Sequence, residues 1–232
     1  MTARRLALFD LDHTLLPLDS DYQWADYLAR TGRAGDPELA RQKNEELMAR
    51  YNAGNLTAVQ SAEFMLGLLA AHDPVDLACW HEAFMTQVIR PAILPQAVAL
   101  VREHLQNDDL CVLVTATNSF VTAPIARAFG IPHLVATDAE FVAGRYTGRI
   151  LGTPSFQEGK IVRVNQWLQS QGLTLDDFES TTFYSDSIND VPLLDVVTHP
   201  VAVNPSPALE SLAIARQWPR INLFSQLQDK KS

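Results

Sequence analysis

The sequence predicts an α/β fold: a doubly wound parallel sheet, covered by helices on both faces, with a helical cap subdomain inserted into it. Short apolar runs alternate along most of the chain with stretches of helical periodicity, as in parallel sheets. The apolar runs are continuous, which is typical of strands buried on both faces. The 232 residues, 47% of them hydrophobic and 19% charged, are enough to bury a sizeable core.

The first predicted strand, Leu6–Phe9, leads directly into two carboxylates, Asp10 and Asp12. A buried carboxylate without a partner costs several kcal/mol, so this pair needs a cation, a proton or hydrogen-bonding amides. Ligand sites of open α/β sheets lie at the carboxyl ends of the strands. The stretch therefore predicts a functional site, although a solvated loop is an alternative for these residues taken alone.

The next segment contains only helical periodicities and predicts four helices. Each begins at a capping residue or a proline. These starts are Asp19 or Ser20, Asp36-Pro37, Thr57, and Asp73-Pro74. We expect residues 16–94 to form the cap and residues 1–15 and 95–225 to form the core, with 226–232 as a disordered tail.

The α/β alternation resumes at Pro95. Four further strands, a hairpin and the intervening helices are predicted. The strands are Leu110–Val114 (ending at Thr115), His133–Ala136, Thr181–Tyr184 and Val201–Val203, and the hairpin spans Ala139–Ile150.

Polar side chains follow three of the predicted strands. The carboxylates among them would repel one another unless a cation lies between them, and oxygen ligands without a His or Cys cluster favour Mg²⁺. A lysine and a hydroxyl beside that metal would complete a phosphoryl site. Taken singly, Thr115 is equally explained as a strand-end hydroxyl, Lys160 as a solvated lysine, and Asp190 as a helix N-terminal residue. The full set is Asp10, Asp12, Thr115, Lys160, Asp186 and Asp190.

The overall composition limits the partners of the protein. A formal net charge of −9 argues against nucleic acid but not against a small phosphorylated metabolite. No apolar stretch approaches membrane-spanning length. The first strand lies too close to Met1 for a signal peptide, and Cys79 and Cys111 are predicted to be buried apolar residues, so we expect a cytoplasmic protein. The oligomeric state stays open.

Four ordered motifs resemble those of haloacid dehalogenase superfamily phosphohydrolases, in the branch (subfamily IB) similar to phosphoserine phosphatases. They are Asp10-Leu11-Asp12-His13-Thr14, Val114-Thr115-Ala116-Thr117, Gly159-Lys160 and Ser185-Asp186-Ser187-Ile188-Asn189-Asp190. The resemblance covers nearly the whole chain. It implies a Rossmann-like core, a helical cap over its carboxyl edge, and Mg²⁺-dependent hydrolysis of a small phosphomonoester through an aspartyl-phosphate.

The resemblance also implies residue roles. Asp10 would be the nucleophile, and Asp12 would act first as general acid and then as general base. Thr115, the Ala116 amide and Lys160 would bind the phosphoryl oxygens. The Mg²⁺ ligands would be the Asp10 carboxylate, the Asp12 carbonyl and Asp186, with support from Asp190.

The cap departs from the phosphoserine phosphatase pattern. Asp19 stands where those enzymes have a Glu, and Met65 stands where they have an Arg that grips the substrate carboxylate. Phosphoserine is therefore a doubtful substrate, and an amino-alcohol phosphate such as histidinol phosphate fits better. His13 replaces a small residue and would either contact the substrate or have a structural role.

Two alternatives stay open. A phosphotransferase or mutase could use the same scaffold with an acceptor other than water. A non-catalytic binding module would be marked by the loss of Asp10 or Asp186, and both are present.

Overall fold

The computed structural model describes residues 5–53, 55 and 57–225 and has a single seven-stranded sheet of order β4-β3-β2-β1-β5-β6-β7. All neighbouring strands pair in parallel except β3 and β4, which are antiparallel. The predicted α/β class is confirmed. The strands are β1 Arg5–Phe9, β2 Leu110–Asn118, β3 His133–Val142, β4 Arg145–Leu151, β5 Ser180–Ser185, β6 His199–Val203 and β7 Arg220–Ile221.

The helices flank this sheet and fill the segment between β1 and β2. A π-helical turn, Met85–Ile89, continues the fourth helix, and short 3₁₀ turns lie at Leu175–Asp177 and Ile188–Asp190. The α-helices are α1 Ser20–Arg30, α2 Pro37–Asn52, α3 Ala58–Ala70, α4 Pro74–Phe84, α5 Arg90–Ala92, α6 Pro95–Gln106, α7 Ser119–Phe129, α8 Glu158–Ser170, α9 Val191–Leu194 and α10 Pro207–Ala215.

The two faces of the sheet bury two separate hydrophobic clusters. Ala7 and Phe9 of β1 point into the cluster that contains residues of α1, α4, α6 and α7. Leu6 and Leu8 point into the opposite cluster, with residues of α8, α9 and α10. Because successive side chains of a strand alternate between faces, the apolar run Leu6–Phe9 of β1 is buried on both faces, and β1 lies at the centre of the sheet.

The predicted helix starts are confirmed, since side chains there accept hydrogen bonds from free backbone amides. Asp19 accepts from Tyr22 N at 2.8 Å, and Asp73 accepts from Val75 N at 2.9 Å. Thr57 forms a capping box with Gln60. Asp36 accepts from Leu39 N at 3.0 Å. These local bonds fix where the helices of the inserted segment begin.

The third helix packs closely on the β3–β4 hairpin. Gly148 has φ +83°, and a Cβ there would lie 3.4 Å from Ala70 Cβ. Glycine therefore suits both the backbone conformation and the close approach of α3 to β4. The contact joins the inserted helices to the edge of the sheet beside the strand ends.

Some boundaries differ from those predicted. The parallel strand at His133 and the first arm of the hairpin form one strand, β3, which pairs with β2 at its start and with β4 at its end. The second strand continues past Thr115 to Asn118, and the short edge strand β7 was not predicted. Cys79 is exposed, contrary to the prediction, whereas Cys111 is buried.

The predicted tail, 226–232, lies outside the described residues. Within the described part of the chain, no individual helix combines the length and apolarity needed to cross a membrane; the bent pair Pro74–Ala92 and Pro95–Gln106 meets that test only jointly.

Candidate active site

A buried lysine joins two carboxylates at the carboxyl edge of the sheet. Lys160 Nζ donates to Asp10 Oδ1 and to Asp190 Oδ2, both at 2.7 Å, and Ser185 Oγ also donates to Asp190 Oδ2 at 2.7 Å. Burial alone would lower the pKa of Lys160, but the two carboxylates outweigh it and raise that pKa. Lys160 is therefore held as an ammonium beside Asp10.

A glycine sets the position of that lysine. Gly159 precedes Lys160 in the first turn of α8, and a Cβ at Gly159 would lie 2.1 Å from the carbonyl oxygen of Pro154. No other residue fits without moving the loop before α8. The predicted Gly159-Lys160 motif thus has a steric reason for its first residue.

A single threonine links the first and last motifs. Thr14 Oγ1 lies 3.0 Å from Asp10 Oδ2 and 3.1 Å from Asp186 Oδ1, and it accepts a hydrogen bond from Asp186 N at 2.9 Å. Burial and the nearby Asp10 charge raise the pKa of Asp186 to about 8. Sequence reasoning assigned Thr14 no role, although its place four residues after Asp10 was the available signal.

The carboxylates of Asp10 and Asp186 suit a hard cation. They share the Thr14 hydroxyl, and burial, followed by repulsion from Asp10, raises the pKa of Asp186. No set of three or more His, Cys, Asp or Glu side chains in the described ranges is arranged around a common metal position. Mg²⁺ commonly uses only one or two carboxylates, completed by water and substrate oxygens, so this oxygen donor set fits it.

The Asp12 carboxylate is held by two hydrogen bonds. Its Oδ1 accepts from Ser20 N at 2.8 Å and its Oδ2 accepts from Thr117 Oγ1 at 2.7 Å. Burial, followed by the charge of Asp19, raises the pKa of Asp12 to about 6. A carboxyl group with that pKa exchanges protons readily near neutral pH. The sequence reasoning missed Thr117, whose separation of two residues from Thr115 was the signal for a shared strand face.

The second motif lies where β2 departs from regular pairing. The register between β2 and β3 shifts between Val114 and Asn118. Thr115 is buried, and its Oγ1 accepts from Thr117 N at 3.2 Å, while Ala116 is exposed. Both line the same cavity as Asp10, Asp12 and Lys160. The structure thus brings the four predicted motifs together.

This cavity has a volume of about 600 Å³ and runs from the strand ends to the helices α1, α2 and α3. Lys160 is the only lysine or arginine among the described residues that line it. Met65 lines its distal part and is 3% exposed. Other distal lining residues are Asp19, Asp21, Tyr22, Asn44 and Met48.

Two further carboxylates face the distal cavity. Asp19 caps α1, and burial raises its pKa despite the bond from Tyr22 N and the nearby His13. Asp21 Oδ1 accepts from Asn118 Nδ2 at 2.8 Å. Burial, followed by the charges of Asp19 and Asp12, raises the pKa of Asp21 well above its usual value. Sequence reasoning identified Asp19 but not Asp21.

The backbone of His13 forms part of a tight turn. His13 has φ +59°, its N–H donates to Leu18 O at 3.3 Å, and its carbonyl accepts from Asn204 Nδ2 at 3.0 Å. The side chain is exposed and lines the cavity. The main chain of His13 thus takes part in the turn, and its side chain interacts electrostatically with Asp19.

The central strand of this doubly wound sheet leads into Asp10, which is paired with the buried Lys160, and this arrangement suits a hydrolase with an aspartate nucleophile. A sequence model of the haloacid dehalogenase-like hydrolase family matches residues 7–195. The chain is 42% identical over 220 residues to a histidinol-phosphatase of Neisseria meningitidis serogroup C (strain 8013), covering 94% of this chain and 99% of that protein. The chain therefore belongs to the haloacid dehalogenase-like hydrolase family, as its motifs predicted.

Solved structures agree with this assignment. A protein of unknown function from Bordetella pertussis Tohama I has 71% sequence identity and a TM-score of 0.95, with coverage of 96% of this chain and 100% of that one. A substrate-bound phosphoserine phosphatase has 19% identity and a TM-score of 0.65, with 91% of each chain covered. The second likeness confirms the fold of the predicted branch.

Proposed function

We propose that the protein is a Mg²⁺-dependent phosphatase for small cationic phosphomonoesters, with histidinol phosphate as the leading substrate. One observation carries the proposal. The Asp10–Lys160 pair opens onto a cavity whose distal wall has carboxylates but, among the described residues, no lysine or arginine. Such a cavity favours a substrate with a phosphate at one end and a positive charge at the other.

Asp10 acts as the nucleophile, and Asp12 transfers the protons. A carboxylate oxygen of Asp10 attacks phosphorus, and the bond from phosphorus to the ester oxygen breaks as Asp12 gives that oxygen a proton. Water then attacks the aspartyl-phosphate while Asp12 takes its proton, which releases phosphate and restores Asp10. The pKa of about 6 suits Asp12 to both steps.

Lys160, Thr115 and the Ala116 amide bind the phosphoryl oxygens in this proposal. All three residues line the cavity beside Asp10. The Asp10 carboxylate, the Asp12 carbonyl and Asp186 would hold Mg²⁺, with Asp190 acting through Lys160 or water. When bound, the ion neutralises charge on the carboxylates and on the phosphoryl group.

The distal wall selects the substrate. Met65 offers no charge to a substrate carboxylate, whereas Asp19 has one carboxylate oxygen beyond the one that caps α1 and can pair with an ammonium. The name of the Neisseria relative, histidinol-phosphatase, supports the same substrate. The helices between residues 16 and 94 would act as the cap that covers it.

A cytoplasmic location is part of the proposal. The two cysteines are unpaired, which suits a reducing compartment, and small phosphorylated metabolites are the expected partners.

A phosphate-release assay on a panel of metabolites tests the proposal. With Mg²⁺ present, we expect kcat/KM for histidinol phosphate to exceed that for phosphoserine by about ten- to a hundredfold. This ratio corresponds to the free energy of one charge-assisted contact. The same panel run in excess chelator should show no release. A panel in which phosphoserine ranks first, or in which the chelator has no effect, would overturn the substrate or the metal assignment.

A further inference from the structure

The side chain of Asn44 has an unsatisfied acceptor at the wall of the cavity. Asn44 belongs to α2, is 3% exposed and lines the cavity. Its Oδ1 has no hydrogen-bond partner among the residues that the structure describes. A buried acceptor without a partner costs free energy. We therefore expect this oxygen to accept a hydrogen bond from a donor outside the described residues.

The orientation of the Asn44 amide is set by its other atom. Nδ2 donates to the carbonyl oxygen of Tyr22 at 3.2 Å. A carbonyl oxygen only accepts, so a flipped amide would bring two acceptors together. The Asn44 oxygen is therefore the unpaired atom, and it lies beside the Tyr22 main chain.

Asp21 supplies a second acceptor on the same cavity. It directly precedes Tyr22, lines the same cavity, and receives a hydrogen bond from Asn118 Nδ2 at 2.8 Å. No lysine, arginine or histidine of the described residues forms a salt bridge with it within 4.0 Å. Asn118 also caps α7 by accepting from Val121 N at 3.1 Å, so the Asp21 carboxylate is anchored to the core.

We infer that Asp21 and Asn44 form a subsite for a second nitrogen group of the substrate, a ring nitrogen that bears a hydrogen. In this arrangement Asp19 takes the amine, and Asp21 and Asn44 take the ring N–H. Met48 and Met65 supply apolar contact for the ring. The inference rests on the proposed function and makes both residues determinants of specificity, not catalytic residues.

Two substrates that differ only in the ring test this subsite. Histidinol phosphate is compared with 2-amino-3-phenylpropyl phosphate, which keeps the phosphate and the amine but has no ring nitrogen. The wild-type ratio of kcat/KM should favour histidinol phosphate by about ten- to a hundredfold, because the carbocycle leaves the buried acceptors unpaired.

Substitutions then assign the preference to residues. We expect Asp21→Asn and Asn44→Leu each to reduce the ratio about tenfold or more, mainly through KM. Asn44→Gln keeps both an amide donor for the Tyr22 carbonyl and an acceptor oxygen, so it should retain more of the preference than Asn44→Leu. Gln42→Leu on the exposed side of α2 and Asp26→Asn on α1 are matched controls that should leave the ratio at the wild-type value. Thermal unfolding of each variant shows that it is folded.

The outcomes separate the two proposals. If Asp21→Asn and Asn44→Leu both keep the wild-type ratio, the subsite is overturned while the phosphatase proposal stands. If the wild type releases phosphate from neither amine substrate but does so from nitrophenyl phosphate, the substrate class fails, and the subsite fails with it. If Asn44→Gln loses the preference as fully as Asn44→Leu, the acceptor role of Asn44 is wrong.

Discussion

The two ends of the cavity differ in how their polar groups are satisfied. At the phosphoryl end, Asp10 is bonded by Lys160 and Thr14, and Asp190 is bonded by Lys160 and Ser185. At the distal end, the Asn44 oxygen has no partner among the described residues. The phosphoryl end is organised before any ligand binds, whereas the distal end has an acceptor without a partner among the described residues.

The two ends differ because one is proposed to stabilise phosphoryl transfer and the other to select the substrate. Charge develops on the phosphoryl group during transfer, and preorganised partners stabilise it without reorganisation. Substrate selection instead depends on groups that only the right ligand satisfies, because a wrong ligand then leaves them buried and unpaired. The phosphoryl end is therefore expected to accept any phosphomonoester, and the distal end to discriminate between substrates.

The largest expected effect comes from removing the nucleophile. Asp10→Asn should lower phosphate release by more than about a thousandfold with every substrate, because an amide neither attacks phosphorus nor carries the charge that pairs with Lys160. Phosphate release measures this, and Asp176→Asn at an exposed turn is the control. Substantial activity in the Asp10→Asn variant would remove Asp10 from its proposed role.

The second prediction separates the two steps of Asp12. In Asp12→Asn, nitrophenyl phosphate should still transfer its phosphoryl group to Asp10, because nitrophenolate leaves without a proton. Hydrolysis of the aspartyl-phosphate then lacks its base. Rapid mixing should show a nitrophenolate burst of at most one equivalent followed by a slow steady state, whereas alkyl phosphates should show little burst. Equal losses for both substrate types, without a burst, would contradict this division.

The third prediction alters the distal end alone. Met65→Arg places a cation where the resemblance to phosphoserine phosphatases implies an Arg, and it should shift the kcat/KM ratio about tenfold or more toward phosphoserine. Steady-state assays on phosphoserine and histidinol phosphate measure the ratio. Glu63→Arg on the exposed side of α3 is the control for added positive charge. A ratio that moves equally in both variants would mean that the position of the charge is unimportant.

The smallest expected effect concerns pH. The pKa of Asp186 is about 8 in the fold against 3.8 unfolded, so between these values the folded state holds more protons and stability falls as pH rises. Mg²⁺ must displace that proton, so its affinity should rise with pH by up to about tenfold per unit below pH 8. We expect Mg²⁺ to raise Tm by about 2–4 °C more at pH 8 than at pH 6.

Calorimetry or a thermal shift assay compares the two pH values. Asp186→Asn, which has no proton to release, should abolish the difference. A wild-type Mg²⁺ effect that is independent of pH would show that Asp186 does not contact the ion.

Local signals in the sequence were sufficient for much of the fold. The apolar run of β1 and the capping residues Asp19, Thr57 and Asp73 act on neighbours a few residues away, so pattern and position reveal them. The same reasoning placed Asp10, Thr115 and Asp186 at one edge, because parallel strands end together. The prediction of strand boundaries failed at β3, because this one strand pairs first with β2 and then with β4.

Patterns in the sequence predicted the α/β class, the order of the four motifs and the charges at the strand ends. The bridge from Thr14 to Asp186, 172 residues away, and the bond from Asn118 to Asp21, 97 residues away, became evident only in the folded chain. The same holds for Asn44 of α2, which lies against Tyr22 of α1 with its oxygen unpaired among the described residues. Such contacts join residues that are distant in sequence and depend on how the strands, loops and helices pack, so no local pattern reveals them.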